Sequence, residues 1–309
     1  MRRRLIRSFL FLLLGLAAFP VWPDGIAHVI LSESGGAYQE AAEAFRAGIG
    51  ARRQVRIWNL TDLGAAQAQN LSRGGDLLVP VGVKATRYLA DQHAGKAPVL
   101  ALMLPKAAAE RIHWPSTLGR GKTSFVYIDQ PPSRTLALVE EAFPGARRVG
   151  LVVSDENQTN IKALNQEAAK RRLTLALETV AAAEDVAPAL RRVLPDIDVL
   201  LLVPDTVAIN SANAQNVLLT TYRYRVPVVG FSQGLAKAGA VAAVFSSPAQ
   251  IGRQGAQMAV RWFADEGDLP PAQPAGEFSV AFNSRVARSL GVVMTEESEI
   301  RRKLGAQDE

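Results

Sequence analysis

The side chains of this sequence best suited to recognition chemistry stand just after short apolar runs. Asp205 and Thr206 follow Val199-Leu200-Leu201-Leu202-Val203-Pro204, with Asn210 close behind, and Ser232 and Gln233 follow Val226-Pro227-Val228-Val229-Gly230. Earlier in the chain, Ser34 and Tyr38 follow Ala27–Leu31, Lys84 and Thr86 follow Leu77–Val81, and Asn157, Thr159 and Asn160 follow Arg148–Val153. A carboxylate at Asp205 can hold a ligand ammonium through charge-assisted hydrogen bonds, with Thr206 and Asn210 beside it. Free N–H groups and the positive end of a helix dipole favour an anionic group such as a carboxylate. Gly35-Gly36 lets a ligand come close to the backbone, and the Tyr38 ring can stack on one. Each residue also has a plainer role. Ser34, Thr86 and Asp205 suit helix caps, Tyr38 suits first-turn packing, and Lys84 suits a solvated surface.

Other chemistry is missing from the pattern. With no cysteine there is no disulfide framework, thiolate metal site or thiol for a lipid anchor. His28, His93 and His113 are scattered, which argues against a metal centre or histidine-based catalysis. Gly121-Lys122-Thr123 suggests a phosphate loop, but Ser116 stands where the first glycine is required, and a strand pattern rather than a helix follows. No serine sits in a Gly-x-Ser-x-Gly elbow, and Gly35-Gly36 lacks the third glycine of a dinucleotide fingerprint. Trp58, Trp114 and Trp262 read as core residues. These absences point away from an enzyme and imply no cofactor and no metal.

The elements that must position the polar residues repeat. Continuous runs of about five apolar residues suit strands buried on both faces, hence parallel strands covered by helices. Such runs occur at Ala27–Leu31, Val55–Trp58, Leu77–Val81, Pro98–Met103 and Ser124–Ile128. They recur at Arg148–Val153, Thr174–Glu178, Val199–Val203, Val226–Gly230, Val241–Phe245 and Phe278–Phe282. Helical patterns lie between them, among them Tyr38 to Ile49 with Ala41, Ala44, Phe45 and Gly48 on one face, and Pro248 to Phe263. Gln130-Pro131-Pro132 divides the series in two. The expected fold class is α/β, with two Rossmann-like lobes built on parallel sheets, and 309 residues suffice for both. Polar residues at the carboxyl ends of such strands outline a small-molecule site.

Residues 1–24 read as a signal peptide, with a basic start followed by Phe9 to Ala18, an apolar core short for a membrane span. Cleavage after Ala18 or a few residues later is one outcome and an uncleaved anchor is the other; both export the body. Arg2, Arg3, Arg4 and Arg7 supply much of the formal charge of +6, so no basic surface for nucleic acid is expected.

Five phrases occur in order: Phe143-Pro144-Gly145-Ala146-Arg147-Arg148-Val149-Gly150, Val203-Pro204-Asp205-Thr206, Val226-Pro227-Val228-Val229-Gly230, Lys237-Ala238-Gly239-Ala240 and Ile251-Gly252-Arg253-Gln254. In these the chain resembles the periplasmic substrate-binding proteins of ABC importers with the type I two-lobed fold, within the branch that includes aromatic amino-acid binders (tryptophan and tyrosine). The likeness covers most of the chain after the leader. It implies a clamshell whose chain crosses between lobes three times. Lobe 1 is then 25–128 plus 247–268, and lobe 2 is 129–246 plus 269–309. It also implies a monomer that captures a small polar ligand, an amino acid or related compound, for an inner-membrane ABC permease. Two alternatives stand beside it, a periplasmic sensing module coupled to a membrane signalling protein and an exported α/β enzyme. The chain departs from the family at Ser246-Ser247-Pro248, where relatives carry an acidic residue and an aromatic. Asp155 to Asn160 and Ser32 to Tyr38 also match only loosely, so the ligand stays open.

Overall fold

The computed structural model describes residues 25–307 apart from 72–74, 93–96, 120 and 266; the leader and His93 lie outside the described residues. The first run of elements is β1 (Ala27–Leu31), α1 (Gly36–Ile49), β2 (Val55–Asn59), α2 (Ala65–Asn70), β3 (Leu77–Val81), α3 (Val83–Gln92), β4 (Val99–Leu104), α4 (Lys106–Glu110) and β5 (Thr123–Tyr127). Next come α5 (Pro132–Ala142), β6 (Arg148–Ser154), α6 (Gln158–Lys170), β7 (Thr174–Val180), α7 (Val186–Val193), β8 (Val199–Leu201), α8 (Ala214–Arg223), β9 (Val228–Gly230), α9 (Gln233–Ala238) and β10 (Ala242–Phe245). The chain ends with α10 (Pro248–Asp265), β11 (Gln273–Pro274), β12 (Ser279–Phe282), α11 (Ser284–Leu290) and α12 (Glu297–Gln307).

Two six-stranded sheets result, in the orders β11-β5-β4-β3-β1-β2 and β12-β10-β9-β8-β6-β7. All pairings are parallel except β10 with β12, as expected for βα units with helices on both faces. The central runs β1, β3, β6 and β8 are buried almost throughout, which is why they read as unbroken apolar stretches. The edge strand β7 instead exposes Thr174, Leu177 and Thr179.

In lobe 1, α1 and α10 pack face to face through small residues. A Cβ on Gly252 would lie 2.2 Å from the Ala41 carbonyl oxygen, and one on Gly48 would lie 2.6 Å from the Ala256 Cβ. The α1 face buries Ala41, Ala42, Phe45 and Ile49, and α10 adds Ile251, Met258 and Trp262 to the same core. Trp58 and Trp114 pack on the other face of that sheet.

The chain passes between the sheets three times. Gln273 and Pro274 pair with Val126 and Tyr127, and Leu269 and Ala275 sit in the core of lobe 1. The last crossing therefore falls after Ala275, later than the expected boundary at Leu269. The three crossings are tied together. Gln130 Nε2 donates to Ser246 Oγ at 3.0 Å, and Ser246 Oγ donates to the Glu277 carbonyl at 2.7 Å. Arg134 donates to the carbonyls of Ala275 and Gly276 and lies 4.0 Å over the Phe278 ring.

Candidate functional site

The loops that leave the carboxyl ends of β4, β5, β6 and β8 converge. At the end of β4 the register shifts between Leu102 and Leu104, and Met103 takes φ 58°, a left-handed conformation rare for a side chain of its size. Pro105 then opens α4, and the Lys106 N–H donates to Asp129 Oδ2 at 2.7 Å, just past β5. Asn160 on α6 donates through Nδ2 to Asp129 Oδ1 at 3.2 Å and to Asn157 Oδ1 at 2.9 Å. Asp129 is thus held by lobe 1 on one side and lobe 2 on the other. On the same side Arg111 reaches Glu156 at 3.6 Å across the lobes.

Beside Asp129 lies a cavity of about 50 Å³, lined by Asp129, Gln130, Thr135 and Asn160 and by apolar residues that include Leu164, Leu202 and Phe231. Burial holds the Asp129 carboxyl up at about 6, against the lesser opposing effect of the Lys106 N–H.

Asp205 has a different place from the one expected of it. It is 5% exposed, and its carboxylate is fully occupied by protein donors. Oδ2 accepts from Ser154 N at 2.8 Å, Ser154 Oγ at 2.9 Å and Asn157 Nδ2, while Oδ1 accepts from Val207 N at 2.9 Å and Ala208 N at 2.8 Å. A carboxylate offers about four lone-pair sites, so none is left for a ligand ammonium. Asp205 ties the end of β6 to the loop after β8. Its helix-cap reading also needs revision, because α8 begins only at Ala214.

The other expected residues divide in the same way. Asn157 is 1% exposed and belongs to the Asp205 network. Thr86 is fully buried, donating its hydroxyl to the Gly82 carbonyl at 2.7 Å inside α3; it does not reach a ligand. Asn210 and Asn213 cap one another's backbone, and Thr206 is exposed beside them. Ser232 caps α9 by accepting from Leu235 N at 3.1 Å, and Gln233 is exposed next to it. In lobe 1, Ser34 is exposed, and Lys84 pairs with Glu33 at 2.5 Å on the surface. Tyr38 packs against Gly82, where an added Cβ would lie 2.8 Å from its ring; burial first, then Glu33, raises its hydroxyl above the usual phenol range. The Thr159 side chain lies outside the described residues. Among the described side chains of the expected set, Asn160 alone lines the cavity. Asp129, Gln130 and Thr135 line it without being expected from the sequence, although Asp129 stands immediately past a strand end, as the expected residues do.

Among the described residues there is no group of acidic, histidine or cysteine side chains able to hold a metal, and no helix is long and apolar enough to cross a membrane.

Residues 62–301 match a family model described as ABC transporter substrate binding protein. No curated protein matches. Among solved structures, the chain is similar to an ABC domain in complex with L-Trp from Streptococcus pneumoniae, at 16% identity and TM-score 0.64, covering 90% of this chain and 98% of that one. It is similar to a conserved domain protein from Vibrio cholerae at 18% identity and TM-score 0.64, covering 90% and 98%. It also resembles the ligand-free, open structure of a substrate-binding protein with adhesive properties from Clostridium difficile, at 16% identity and TM-score 0.66, covering 88% and 97%. At these identities the likeness speaks for the fold, two α/β lobes of the type I periplasmic binding proteins.

Proposed function

Because this chain belongs to the ABC transporter substrate binding protein family, we propose that it captures an amino acid or closely related compound between its lobes and delivers it unchanged to its permease. Family membership implies a solute-binding role, a small-molecule ligand, an ABC permease as partner and a place outside the cytoplasm. The finer reading is a periplasmic monomer, exported by its leader, that is not an enzyme.

The observation that carries the reading is the cavity where Asp129 and Asn160 meet at the crossing between the lobes. It lies outside the carboxyl ends of parallel strands, where open α/β sheets bind ligands. The cavity is lined by the second lobe, and Asp129 ties it to the first through the Lys106 N–H, so a ligand that extends outward from it meets both lobes and favours their closure. The amino-acid class is supported by the five sequence phrases of the aromatic amino-acid branch and by similarity to a protein solved with L-Trp. Ser34, Tyr38, Lys84, Thr206, Ser232 and Gln233 remain candidates for the outer part of the site.

The test is a thermal-shift screen against amino acids, nucleosides, sugars and small organic anions, because a ligand that binds only the folded state raises the melting temperature. One amino acid that stabilises the protein and is recovered unchanged supports the reading. A compound turned over by the protein sinks it.

A further inference from the structure

We propose that Asp129, with the side-chain carbonyl of Asn160, receives the protonated amine of the ligand, so that the site takes primary ammonium compounds and rejects their amine-free counterparts. The inference rests on the solute-binding reading and names the chemistry that the site selects.

The argument is a count of donors and acceptors around the cavity. Asp129 accepts one bond from the Lys106 N–H and one from Asn160 Nδ2, and its own backbone N–H also turns towards it, which still leaves acceptor capacity on a carboxylate with about four lone-pair sites. Asn160 spends its amide N–H groups on Asp129 and Asn157, and its carbonyl oxygen accepts from no donor among the described residues. The Thr135 hydroxyl donates to the Pro131 carbonyl at 3.3 Å, so its oxygen can still accept. Gln130 donates to Ser246 and accepts from Arg134 at 2.6 Å, which leaves one of its two amide N–H groups uncommitted among the described residues. The side-chain capacity left on the cavity wall is therefore mostly acceptor, with the second Gln130 N–H as a donor, and its charged member is the Asp129 carboxylate. Such a wall suits a group with three N–H donors and repels a carboxylate.

Charge argues the same way. No described side chain forms an ion pair with Asp129. The charged groups facing it come from α4: Lys106, whose Nζ lies 3.8 Å from Glu110, and Glu110 itself. Among the described side chains of α6 it meets the neutral Asn160, and from its own segment the neutral Gln130. Lys106 shares its charge with Glu110, and burial outweighs what it offers Asp129, so a ligand cation offsets a cost that the protein leaves standing. The cavity has room for an ammonium and its neighbouring carbon, with Leu164, Leu202 and Phe231 as an apolar wall. The rest of the ligand must extend outward between the lobes. Asp205, the other carboxylate nearby, accepts five bonds and cannot compete for the role.

The experiment is calorimetry on the full chain with each L-amino acid, its des-amino acid and its decarboxylated amine, alongside sugars, nucleosides and organic anions. The expected result is at least one amino acid that binds, about 10- to 100-fold tighter than its des-amino counterpart. Asp129→Asn should lower that affinity by a similar factor while leaving the weak binding of the des-amino compound nearly unchanged. Wild-type affinity for the amine should also fall as pH is lowered through about 6, where Asp129 takes up a proton; this needs no variant and stands if the substitution disturbs folding. Equal affinity for the amino and des-amino compounds, or a wild-type affinity flat between pH 7.5 and 5, overturns the role of Asp129 and leaves solute binding intact. Binding of nothing in the whole panel overturns both.

Discussion

Asp205→Asn distinguishes a structural carboxylate from a ligand-binding one. The substitution keeps the shape of the side chain and replaces one oxygen with an amide NH2. With the nitrogen at the Oδ1 position, the N–H groups of Val207 and Ala208 lose their acceptor; at the Oδ2 position, Ser154 N and Asn157 Nδ2 lose theirs. The Ser154 hydroxyl can rotate and accept instead. Either way two donors are stranded in a buried network, at about 1–3 kcal/mol each. The expected loss of stability is about 3–4 kcal/mol. Urea unfolding followed by circular dichroism at pH 7 measures it, and calorimetry on the folded variant should return a ligand affinity within about twofold of wild type. A variant as stable as wild type that no longer binds the amino acid refutes the reasoning and restores Asp205 to the ligand.

Three further outcomes follow from other parts of the molecule. Gly252→Ala should destabilise by about 2 kcal/mol in the same unfolding assay, because its Cβ would meet the Ala41 carbonyl at 2.2 Å and push α10 off α1; Gly305→Ala, with open space around it, should be neutral or mildly stabilising. Asp129→Asn should stabilise the ligand-free protein at pH 7 by about 1–2 kcal/mol. The sign follows from the raised folded value of about 6 against 3.8 unfolded: the folded state holds the proton more tightly, so its penalty is present above about 6, fades as pH falls towards 4, and the advantage of the variant should fade with it. An advantage independent of pH counts against the assignment. Small-angle scattering should give a smaller radius of gyration with saturating amino acid than without, and equal radii count against closure of the lobes.

The sheets were legible because buried parallel strands leave short apolar runs between helical patterns, and β1 and β3 fall on their expected bounds. Short helices such as α4 and α9 were missed, since five or six residues carry too little periodicity. The site was legible in its position and not in its assignments. Whether Asp205 is available to a ligand depends on Ser154 and Asn157, about fifty residues away, whose donors saturate it. Thr86 looked like a cleft residue because it follows β3, but Gly82 at φ +89° turns the chain so that the threonine falls inside the helix. Asp129 has no local signature, because what makes it distinctive is its burial between the Lys106 N–H of α4 and Asn160 of α6, both distant in sequence. The boundary at Leu269 was misplaced because a two-residue strand pairing with β5 has no signature in the residues themselves.

The threefold crossing has a consequence for how the protein is made. Lobe 1 is interrupted after β5 and finished only by α10 and β11, which are synthesised after the greater part of lobe 2. A nascent chain that has emerged as far as β10 holds α1 with its Ala41–Phe45 face uncovered, waiting for a helix not yet translated. Lobe 2 can begin to assemble around β6 to β10, but lobe 1 cannot close ahead of it. The α1 face that Gly48 and Ala41 offer to α10 therefore gains its cover only once residues 248–265 have been made.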